Sequence, residues 1–509
     1  MNVIVGLGAT GLSCAKLFLR ENIPFAIVDT REAPPLREAF LALQSGAPYA
    51  FGNIPCEWMN DAKEIIVSPG LALSHPLLRN LRSCHPRESA HCHPRESGDP
   101  LLLNMDPRCS KDDNSKGNII GDIELFARRV QAPVIAITGT NGKSTVTALV
   151  GQMCLEAGKK TLVGGNIGTP VLDLLEEPVP DVYVLELSSA QLCVTRSLKP
   201  LTSVVLNITE DHLDWHGSFE AYVQAKCQLY TWTEKPVINV DDAVLLSYCH
   251  SHQRCHSRES GNPLDIHGWI PAFAGMTSNQ RCHSRESGNP LDIHGWTPAF
   301  AGMTDKLFKC RDGHNIFLGD NLVLNIEDCY YKGACFGENA VAALSLGQAF
   351  GLPLTSMINT LKHFQGLPHR TQLIYHKNGI RWYNDSKATN IMSMAAAIVS
   401  LQRGSTGRMI LILGGSDKGA DFKVLTQYMN PRISTVIALG ETRFAIAGAL
   451  KNTTPVVLVE SLKEAVNTAT TLATPGDIVL LSPACASLDM FRNFAHRGEC
   501  FTQLVKEIA

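Results

Sequence analysis

The sequence predicts an α/β protein of three domains. Its 509 residues exceed what one hydrophobic core usually serves. Apolar strand-like runs alternate with helix-like segments, which is typical of mostly parallel sheets covered on both faces by helices. Several of the apolar runs end in glycine-rich or polar turns, and sheets of this kind bind ligands at such strand ends. We therefore expect domains at about 1–121, 122–366 and 367–509.

Composition excludes several classes of protein. Hydrophobic residues make up 45% of the chain, charged residues 18%, and the net charge is −3. No basic excess indicates a nucleic acid or an anionic membrane as partner, and no apolar run is long enough to span a bilayer. The apolar start lacks the basic segment of a signal peptide. Sixteen scattered cysteines form no framework, so we expect reduced thiols and a cytoplasmic protein.

The first domain begins with a nucleotide-binding pattern. Val3–Gly11 is a strand followed by G-x-G-x-x-G, a helix runs to about Arg20, and Phe25–Asp29 is a strand ending in an acid. This is the dinucleotide fingerprint, so an NAD-dependent dehydrogenase is one interpretation, although the geometry serves any nucleotide diphosphate. Ile65–Gly70 adds a strand ending in a turn. We expect a Rossmann-like domain that ends near Gly121.

The central domain contains a phosphate-binding loop. Val134–Ile137 is an apolar strand, Gly139 and Gly142 let backbone N–H groups approach an anion, and a helix begins near Lys143 with its positive dipole end. Lys143 can reach the β and γ phosphates, and the Ser144 hydroxyl can bind Mg²⁺. The loop is a shorter variant of the general P-loop and predicts an ATPase-type domain with a mostly parallel sheet.

Two further residues of the central domain are candidate metal ligands. Glu186 ends the predicted strand Val182–Glu186, at the sheet edge where ligands bind. Together with Ser144 and His212 it would make a Mg²⁺ site beside the γ-phosphate. By itself, His212 is more simply a hydrogen-bonded histidine of a loop.

In the third domain, three strands end in polar or cationic turns. They lie within Trp382–Asn390, Met409–Lys418 and Ile478–Ser487. Each turn can also be explained as capping of a following helix. Their repetition nevertheless indicates a binding site along one rim of a Rossmann-like sheet.

Two foreign inserts interrupt the chain. The same sequence occurs twice, at Gln253–Thr277 and at Gln280–Thr304, and the two copies differ only at Ile270 and Thr297. Shorter related sequences start at Cys84 and Cys92. Two copies are too few for a solenoid. If Cys255–Pro263 is written TGT CAT TCC CGC GAA AGC GGG AAT CCA, its reverse complement encodes WIPAFAGMT, which is the text of Trp269–Thr277. Each copy is therefore explained as a translated DNA inverted repeat.

This origin weakens a metal-binding interpretation of the Cys-His pairs in the repeats, because the DNA palindrome dictates them. The inserts, roughly 84–117 and 253–304, are rich in Pro, Gly and Ser. We expect surface loops there.

The motifs together resemble one family. GTNGKS at 139–144, GGNIG at 164–168, LELSS at 185–189 and TEDHLD at 209–214 are similar to the central domain of the Mur ligase family, which also includes folylpolyglutamate synthetases. LPHR, NDSKATN, GGSDKG and SPACASLDMF in the third domain extend the resemblance to essentially the whole chain outside the inserts. The N-terminal nucleotide domain disfavours a folylpolyglutamate synthetase.

The resemblance implies an ATP- and Mg²⁺-dependent amide ligase of peptidoglycan precursor synthesis. ATP would phosphorylate the terminal carboxylate of UDP-N-acetylmuramoyl-L-alanine, and the amine of D-glutamate would attack the acyl phosphate. A carboxylate is a poor electrophile until it is phosphorylated, and the transfer needs cations on the phosphoryl oxygens. We expect a monomer with small-molecule partners.

The resemblance also implies roles for individual residues. The catalytic residues would be Lys143, Glu186, His212 and Lys226, and the metal ligands Ser144, Glu186, His212 and Lys226 as a carbamate. ATP would be bound by Gly139, Thr140, Asn141, Gly142, Lys143, Ser144, Thr145, Asn339, Arg370 and Asp385. The UDP-substrate would be bound by Gly8, Ala9, Thr10, Asp29, Thr30, Arg31, Gly70, Asn166 and His212. D-glutamate would be bound by Lys387, Thr389, Lys418, Ser487, Leu488 and Phe494.

By composition alone, without the resemblance, Lys226 is a lysine on the surface of a helix.

Two alternative functions remain open at this point, an inactive descendant of the family and a dehydrogenase. The family pattern G-x-H-N, with a second asparagine three residues on, has Glu338 in the histidine place and Ala342 in the second asparagine place, while Asn339 is retained. An inactive descendant degraded by the inserts would explain these departures. A dehydrogenase would leave Lys143 without a role.

Overall fold

The computed structural model describes residues 1–78, 118–253, 296–298, 307–331, 336–403, 407–416 and 420–508. The chain divides into two compact units, Met1–Lys309 with Ala342–Met357 and Cys310–Val341 with Ile358–Ala509. Within the described residues, no helix is long and apolar enough to cross a membrane. The three-domain α/β fold is confirmed by a separate sheet for each predicted domain, while the exact boundaries at 121 and 366 stay predictions.

The first unit opens with a parallel sheet of five strands in the order β3-β2-β1-β4-β5. Its three longer strands are almost entirely buried, because helices cover them and their residues are almost all apolar. The elements are β1 Asn2–Val5, α1 Ala9–Arg20, β2 Phe25–Asp29, α2 Arg37–Leu41, β3 Tyr49–Phe51, α3 Cys56–Asn60, β4 Glu64–Val67 and β5 Asn118–Ile120.

A second parallel sheet of the first unit has the order β10-β9-β6-β8-β7. Its central strand carries the phosphate-binding loop at its carboxyl end. The elements are α4 Asp122–Ala127, β6 Val134–Thr138, α5 Lys143–Glu156, β7 Thr161–Gly165, β8 Val182–Glu186, α6 Ser189–Cys193, β9 Thr202–Val205, α7 Leu213–His216, α8 Phe219–Trp232, β10 Lys235–Asn239 and α9 Ala243–Gln253. A 3₁₀ turn spans Asp173–Glu176.

One short strand of this sheet comes from the second insert. β11, Trp296–Pro298, pairs antiparallel with β10, where Val237 lies opposite Pro298. The prediction that the insert forms only surface loop is therefore wrong at these three residues. An exposed sheet edge offers unpaired N–H and C=O groups, and a β-compatible segment can satisfy them. Gln253, the first residue of this insert, ends α9, and the other inserted residues lie outside the described part of the chain.

The described residues of 307–331 and 336–363 form three short strands and two helices. β13 and β14 pair as an antiparallel hairpin. The elements are β12 Phe308–Arg311, β13 Asn315–Leu318, β14 Asn321–Asn325, a 3₁₀ turn at Ile326–Asp328, α10 Phe336–Phe350 and α11 Leu354–His363.

The sheet of the third predicted domain has the order β15-β16-β20-β17-β18-β19, parallel except for β15. The elements are β15 Gln372–Lys377, β16 Ile380–Asn384, α12 Ile391–Arg403, β17 Met409–Gly414, a 3₁₀ turn at Phe422–Gln427, β18 Ile433–Leu439, α13 Arg443–Leu450, β19 Val456–Leu458, α14 Leu462–Leu472, β20 Ile478–Leu481 and α15 Phe494–Ile508. β16, β20 and β17 are adjacent and parallel, so the prediction that they end on one rim is confirmed.

Candidate active site

The phosphate-binding loop is shaped by two glycines with positive φ. Gly139 has φ 145° and Gly142, directly before α5, has φ 84°. A Cβ at Gly139 would lie 2.9 Å from the Cβ of Leu206, so that position leaves no room for a side chain. The neighbouring strand end also holds the loop, because the N–H of Asn141 donates to Oδ1 of Asn207 over 2.8 Å.

Lys143 folds back over this loop. Its ammonium donates to the carbonyl oxygens of Gly139 and Thr140 over 3.0 and 2.9 Å. Lys226, on α8, reaches the same loop from the other side and donates to the Gly139 carbonyl over 2.9 Å. Two lysine side chains therefore converge on one turn, and the charge of Lys143 suits this turn to an anionic ligand.

Lys226 is buried, with only 2% of its surface exposed. The interpretation of this residue as a helix-surface lysine is therefore wrong, since α8 packs that side chain against the loop. Burial, followed by the charge of Lys143, lowers the pKa of Lys226 to about 7. Its ammonium also lies 4.8 Å from the centre of the Tyr222 ring. Near neutral pH a large share of Lys226 is the uncharged amine.

Glu186 ends β8 and is 2% exposed. Its Oε1 accepts a hydrogen bond from the side-chain amide of Asn166 over 2.7 Å. Its Oε2 is buried and accepts no hydrogen bond among the described residues. A buried carboxylate oxygen without a partner is costly, and a hard cation such as Mg²⁺ would satisfy it. The donor chemistry at Glu186 thus fits the metal that the sequence predicts.

His212 does not join this cluster through any described hydrogen bond. It has φ 51° at the start of α7, its side chain is 63% exposed, and its nearest charged partner is Asp211, 3.7 Å away. The structure therefore places the His212 side chain on the surface. Its predicted roles stay predictions.

Sequence reasoning did not find Tyr222. Its hydroxyl lies 3.0 Å from the hydroxyl of Thr140. Burial is the main cause that raises the Tyr222 pKa to about 12, so the phenol stays protonated. Its position one helical turn before Lys226 on α8 is the only sequence signal that could have indicated a contact with the loop.

A cavity of about 610 Å³ lies at the carboxyl ends of β1, β2 and β4. It gathers most of the residues predicted to bind the UDP-substrate. Those that line it are Gly8, Ala9, Thr10, Asp29, Thr30, Arg31, Gly70 and Asn166. His212 does not line it. Gly165, at the end of β7, and Gln191, on α6, also line it, so the cavity extends toward Glu186 through Asn166.

Asp29 organises one end of this cavity. Its carboxylate accepts from the backbone N–H of Leu7 over 2.7 Å and from the guanidinium of Arg31 over 2.8 and 2.7 Å. Burial opposes ionisation of Asp29, but the hydrogen bonds from Arg31 and Leu7 prevail, and the net pKa is lowered. The carboxylate is therefore ionised at neutral pH and holds Arg31 at the rim.

In the second unit, Asp385 lies directly after β16 and is 6% exposed. It accepts from the backbone N–H of Thr371 over 3.0 Å and from the hydroxyl of Ser482 over 2.7 Å. Burial raises its pKa to about 6 despite these donors. Arg370, which is also predicted to bind ATP, directly precedes Thr371 in the chain.

The predicted D-glutamate residues are partly brought together. The ammonium of Lys387 lies 4.1 Å from the centre of the Phe494 ring. Ser487 is buried and Leu488 is 72% exposed, while Thr389 follows two residues after Lys387. Lys418 lies outside the described residues.

Arg497 ties this rim together and was not predicted. It is 2% exposed, and its guanidinium donates to the hydroxyl and carbonyl of Ser386 over 2.9 Å each and to the carbonyl of Ala486 over 3.1 Å. The two turns that carry Lys387 and Ser487 are thereby held at fixed positions.

Comparison with known proteins decides between the interpretations. Three family models match: a MurD-like N-terminal domain of Mur ligases at residues 1–85, the Mur ligase middle domain at 137–259, and the Mur ligase glutamate ligase domain at 369–485. The chain belongs to the Mur ligase family. It is thus an ATP-dependent ligase that forms amide bonds, and the dehydrogenase interpretation is wrong.

Relatives that match the chain over its full length carry the name of one member of the family. This Mur ligase is 39% identical to a UDP-N-acetylmuramoylalanine--D-glutamate ligase of Nitrosococcus oceani, over 100% of this chain and 96% of the relative. Identity is 40% to the enzyme of that name from Legionella pneumophila, over 99% and 98%, and 37% to that of Coxiella burnetii, over 100% and 99%.

Solved structures agree on the fold of this Mur ligase. The UDP-N-acetylmuramate-alanine ligase of Thermotoga maritima superimposes with a TM-score of 0.55 at 15% identity, over 100% of this chain and 99% of that one. A MurF ligase of the same organism, solved in complex with ADP, gives a TM-score of 0.52 at 15% identity, over 96% of each chain. At this identity the likeness concerns the fold alone.

The departures from the family pattern lie on α10. Glu338 is exposed, Asn339 is half-buried, and Ala342 is fully buried. An alanine that is fully buried in a helix packs in the protein interior and offers no polar group to a ligand. Ala342 therefore cannot supply the side-chain contact that the family's second asparagine would make, and the role of Asn339 stays a prediction.

Proposed function

We propose that this Mur ligase joins D-glutamate to UDP-N-acetylmuramoyl-L-alanine, with ATP cleaved to ADP and phosphate, in the cytoplasmic synthesis of peptidoglycan precursors. The observation that carries the proposal is the 37–40% identity, over essentially the whole chain, to ligases named for this reaction. The site geometry supports it, because the first unit presents a phosphate-binding loop and a nucleotide-sized cavity whose linings meet at Asn166 and Glu186.

In this proposal the loop residues bind the phosphates of ATP. The backbone N–H groups of 142–145, at the start of α5, face the anion, and Lys143 exchanges its two carbonyl contacts for phosphoryl oxygens. Mg²⁺, held by Glu186 and Ser144, would neutralise charge that gathers on the transferred phosphoryl group. The unpartnered Oε2 of Glu186 supports that assignment. Asn166 keeps the other carboxylate oxygen fixed.

Lys226 supplies a further anionic ligand once it is carbamylated. The uncharged amine attacks the carbon of CO₂, an N–C bond forms, and one proton leaves to solvent. Because the pKa of Lys226 is lowered to about 7, the nucleophilic amine is well populated at neutral pH. The resulting carbamate replaces a cation, which would repel Mg²⁺, with an oxygen ligand that Mg²⁺ prefers.

The cavity in the first unit would hold the UDP part of the substrate. Asp29 and Arg31 offer an acceptor and a donor at one end, and the turn after β1 offers backbone N–H groups to the diphosphate. Asn166 lies at the other end of the lining, next to Glu186, where the carboxylate to be phosphorylated belongs. Positioning of this kind supplies much of the rate of such a transfer.

For D-glutamate, we assign the carboxylate contacts to Lys387 and Lys418, the orienting hydrogen bonds to Thr389 and Ser487, and the apolar wall to Phe494. The stacking of Lys387 on Phe494 supports this pairing of a cation with an apolar surface. Exchange of two substituents at Cα would move the amine of L-glutamate away from the acyl phosphate, so the enantiomer should react poorly.

The test of the function is release of ADP by the purified full chain with ATP, Mg²⁺ and UDP-N-acetylmuramoyl-L-alanine. We expect ADP release that depends on D-glutamate and is at least about a hundredfold slower with L-glutamate. Release without any preference between the enantiomers would reject D-glutamate as the substrate. No release with the folded protein would favour an inactive descendant. A Lys143→Ala variant controls for contaminating ATPases.

The D-glutamate site is tested by Lys387→Ala. Loss of a charge-assisted contact worth roughly 1.5–3 kcal/mol should raise the KM for D-glutamate by about 10- to 100-fold and leave the KM for ATP nearly unchanged. Lys423→Ala, at an exposed position of the same unit, should change neither constant. An effect of Lys387→Ala on the KM for ATP alone would reassign the residue. Gel filtration of the same samples tests the expected monomer.

A further inference from the structure

Asn207 lies shortly after β9, beside the phosphate-binding loop, and its side-chain amide contacts one residue of that loop at both backbone groups. Oδ1 of Asn207 accepts from the N–H of Asn141 over 2.8 Å, and Nδ2 donates to the carbonyl oxygen of Asn141 over 3.2 Å. An amide side chain carries both an acceptor and donors, so it can make the two contacts at once. Asn207 therefore orients both peptide units that flank Asn141.

The backbone around Asn207 is itself held in place. The carbonyl oxygen of Asn207 accepts from the N–H of Thr140 over 2.8 Å. On one side of it, the carbonyl of Leu206 accepts from the side-chain amide of Asn239 over 2.8 Å, and on the other, the N–H of Ile208 donates to the carboxylate of Asp242 over 2.9 Å. The contacts of Asn207 thus connect the loop to a segment that is anchored to the end of β10 and the turn after it.

The geometry of the peptide bond determines which way the next N–H group points. In a trans peptide unit the N–H and the C=O point in opposite directions, and no cis peptide bond occurs among the described residues. Since the carbonyl of Asn141 points at Asn207, the N–H of Gly142 points away from Asn207. The carbonyl of Thr140 also points away, and it accepts from the Lys143 ammonium over 2.9 Å. The Gly142 N–H therefore faces the side of the loop on which the Lys143 ammonium lies.

This arrangement divides the N–H groups of the loop into two sets. Those of Thr140 and Asn141 donate to Asn207 and are not available to an anion. That of Gly142 meets no acceptor within the described residues. It is followed by the N–H groups of the first turn of α5, which the helix itself cannot satisfy. The donors left for a phosphate therefore begin at Gly142.

We propose that Asn207 is a positioning residue for the phosphates of the nucleotide. It touches neither the nucleotide nor the reacting atoms. Instead it fixes the peptide unit between Asn141 and Gly142, so that the Gly142 N–H donates to a phosphoryl oxygen beside the Lys143 ammonium. Donors that are oriented in advance need no reorganisation when the anion binds. The inference rests on the proposed function in one respect, that the loop binds the phosphates of ATP.

The experiment is calorimetric titration of ADP, with Mg²⁺ present, into the full chain and its variants. Asn207→Ala removes both contacts without a change of charge and should weaken ADP binding by about tenfold or more, because hydrogen bonds to charged groups are strong. Asn207→Asp keeps the acceptor for the Asn141 N–H but sets a second oxygen against the Asn141 carbonyl, so it should weaken binding at least as much. The Tm of each variant is measured first, because Asn207 is half-buried.

Asn239→Ala is the matched control. Asn239 ends β10, next to β9, and its side chain also makes two hydrogen bonds, to the carbonyl of Leu206 over 2.8 Å and from the N–H of Asp241 over 3.1 Å. Neither contact is with the phosphate-binding loop. This variant should bind ADP as the parent does, even where its Tm is lower.

Kinetics give a second readout that separates positioning from general stability. Asn207→Ala should raise the KM for ATP by about tenfold and leave the KM for the UDP-substrate near that of the parent, whereas a general loosening of the unit would raise both. Parental ADP affinity in both Asn207 variants, or an equal loss of affinity in Asn239→Ala, overturns the inference and leaves the proposed function intact. A parent chain that does not bind ADP would reject the proposed function and this inference together.

Discussion

Lys143 and Lys226 donate hydrogen bonds to the same acceptor, the carbonyl oxygen of Gly139, over 3.0 and 2.9 Å. Lys143 comes from the start of α5 and Lys226 from α8, more than eighty residues later in the chain. Each raises the electrostatic cost of the other's charge, and burial adds to that cost for Lys226. Burial, followed by the charge of Lys143, explains why Lys226 is easily deprotonated.

The first prediction concerns stability against pH. The pKa of Lys226 is about 7 in the folded protein, and near 10.4 in an unfolded chain. Between these values the unfolded state binds more protons, so the destabilising contribution of Lys226 is complete below about pH 7 and fades toward pH 10. Lys226→Met should therefore stabilise the protein by about 1–3 kcal/mol at pH 6 and by much less at pH 10.

Urea unfolding at several pH values measures this difference. Lys159→Met replaces an exposed lysine of the same unit and should show no such dependence on pH. A Lys226→Met variant that is less stable than the parent at pH 6 would contradict the burial of a costly charge.

The second prediction concerns the carbamate. Lys226→Ala should reduce kcat by at least about a hundredfold, because the variant lacks the proposed anionic oxygen ligand. Added acetate should restore part of the activity in Lys226→Ala and none in Lys143→Ala, since a carboxylate can replace a carbamate but not an ammonium. Rates of ADP release with and without acetate decide the matter. Full activity of Lys226→Ala would remove the residue from the mechanism.

The third prediction concerns Arg31, at the end of the cavity that we propose binds the UDP-substrate. Arg31→Ala should raise the KM for the UDP-substrate by about tenfold or more, since a charge-assisted contact contributes roughly 1.5–3 kcal/mol. The KM for ATP should stay close to that of the parent. Arg20→Ala removes a surface ion pair with Glu176 in the same unit and is the control. Equal effects of the two substitutions would assign Arg31 to structure alone.

The fourth prediction separates stability from function at Asp385. Burial raises its pKa to about 6, so the charged carboxylate is a net cost above that pH, and the protonated form adds stability as the pH falls toward 4. Asp385→Asn should be as stable as the parent or up to about 2 kcal/mol more stable at pH 8. The advantage should shrink or reverse by pH 5, which thermal unfolding measures.

If Asp385 contacts ATP, the same variant loses activity although its stability is unimpaired. Ser482→Ala removes the 2.7 Å donor and should lower stability at pH 8, because the buried charge loses a hydrogen bond. Asp385→Asn with both normal activity and normal stability would place the residue outside the site.

The fifth prediction concerns the inserts. Deletion of one repeat copy leaves one copy of the sequence that can form β11. The variant's Tm should therefore equal that of the parent within experimental error, and its kcat should stay within a few-fold of the parent's. Deletion of Gln253–Thr304 removes the strand that pairs with β10, and should lower Tm by a few degrees for a loss of about 1 kcal/mol. Long surface segments add little closure entropy, about 0.6 kcal/mol per doubling of length. A large loss of kcat with the protein folded would show that the insert serves catalysis.

Local patterns in the sequence were sufficient to predict buried strands and the phosphate-binding loop. Phe25–Asp29 and Val182–Glu186 are strands with the predicted bounds, because short, continuous apolar runs bounded by turns are typical of buried strands in a parallel sheet. The loop before Lys143 was equally predictable, since its two glycines occupy backbone conformations that other residues rarely adopt. These features depend on neighbours in the chain.

Tertiary structure alone decided how distant residues meet. Nothing near Lys226 in the sequence shows that α8 turns it into the protein and lowers its pKa, and nothing near Glu186 shows that Asn166 occupies only one of its oxygens. The strand formed by Trp296–Pro298 likewise depends on the open edge of β10. Such contacts are set by the packing of segments far apart in the chain, and desolvation and hydrogen bonding at these sites follow from that packing.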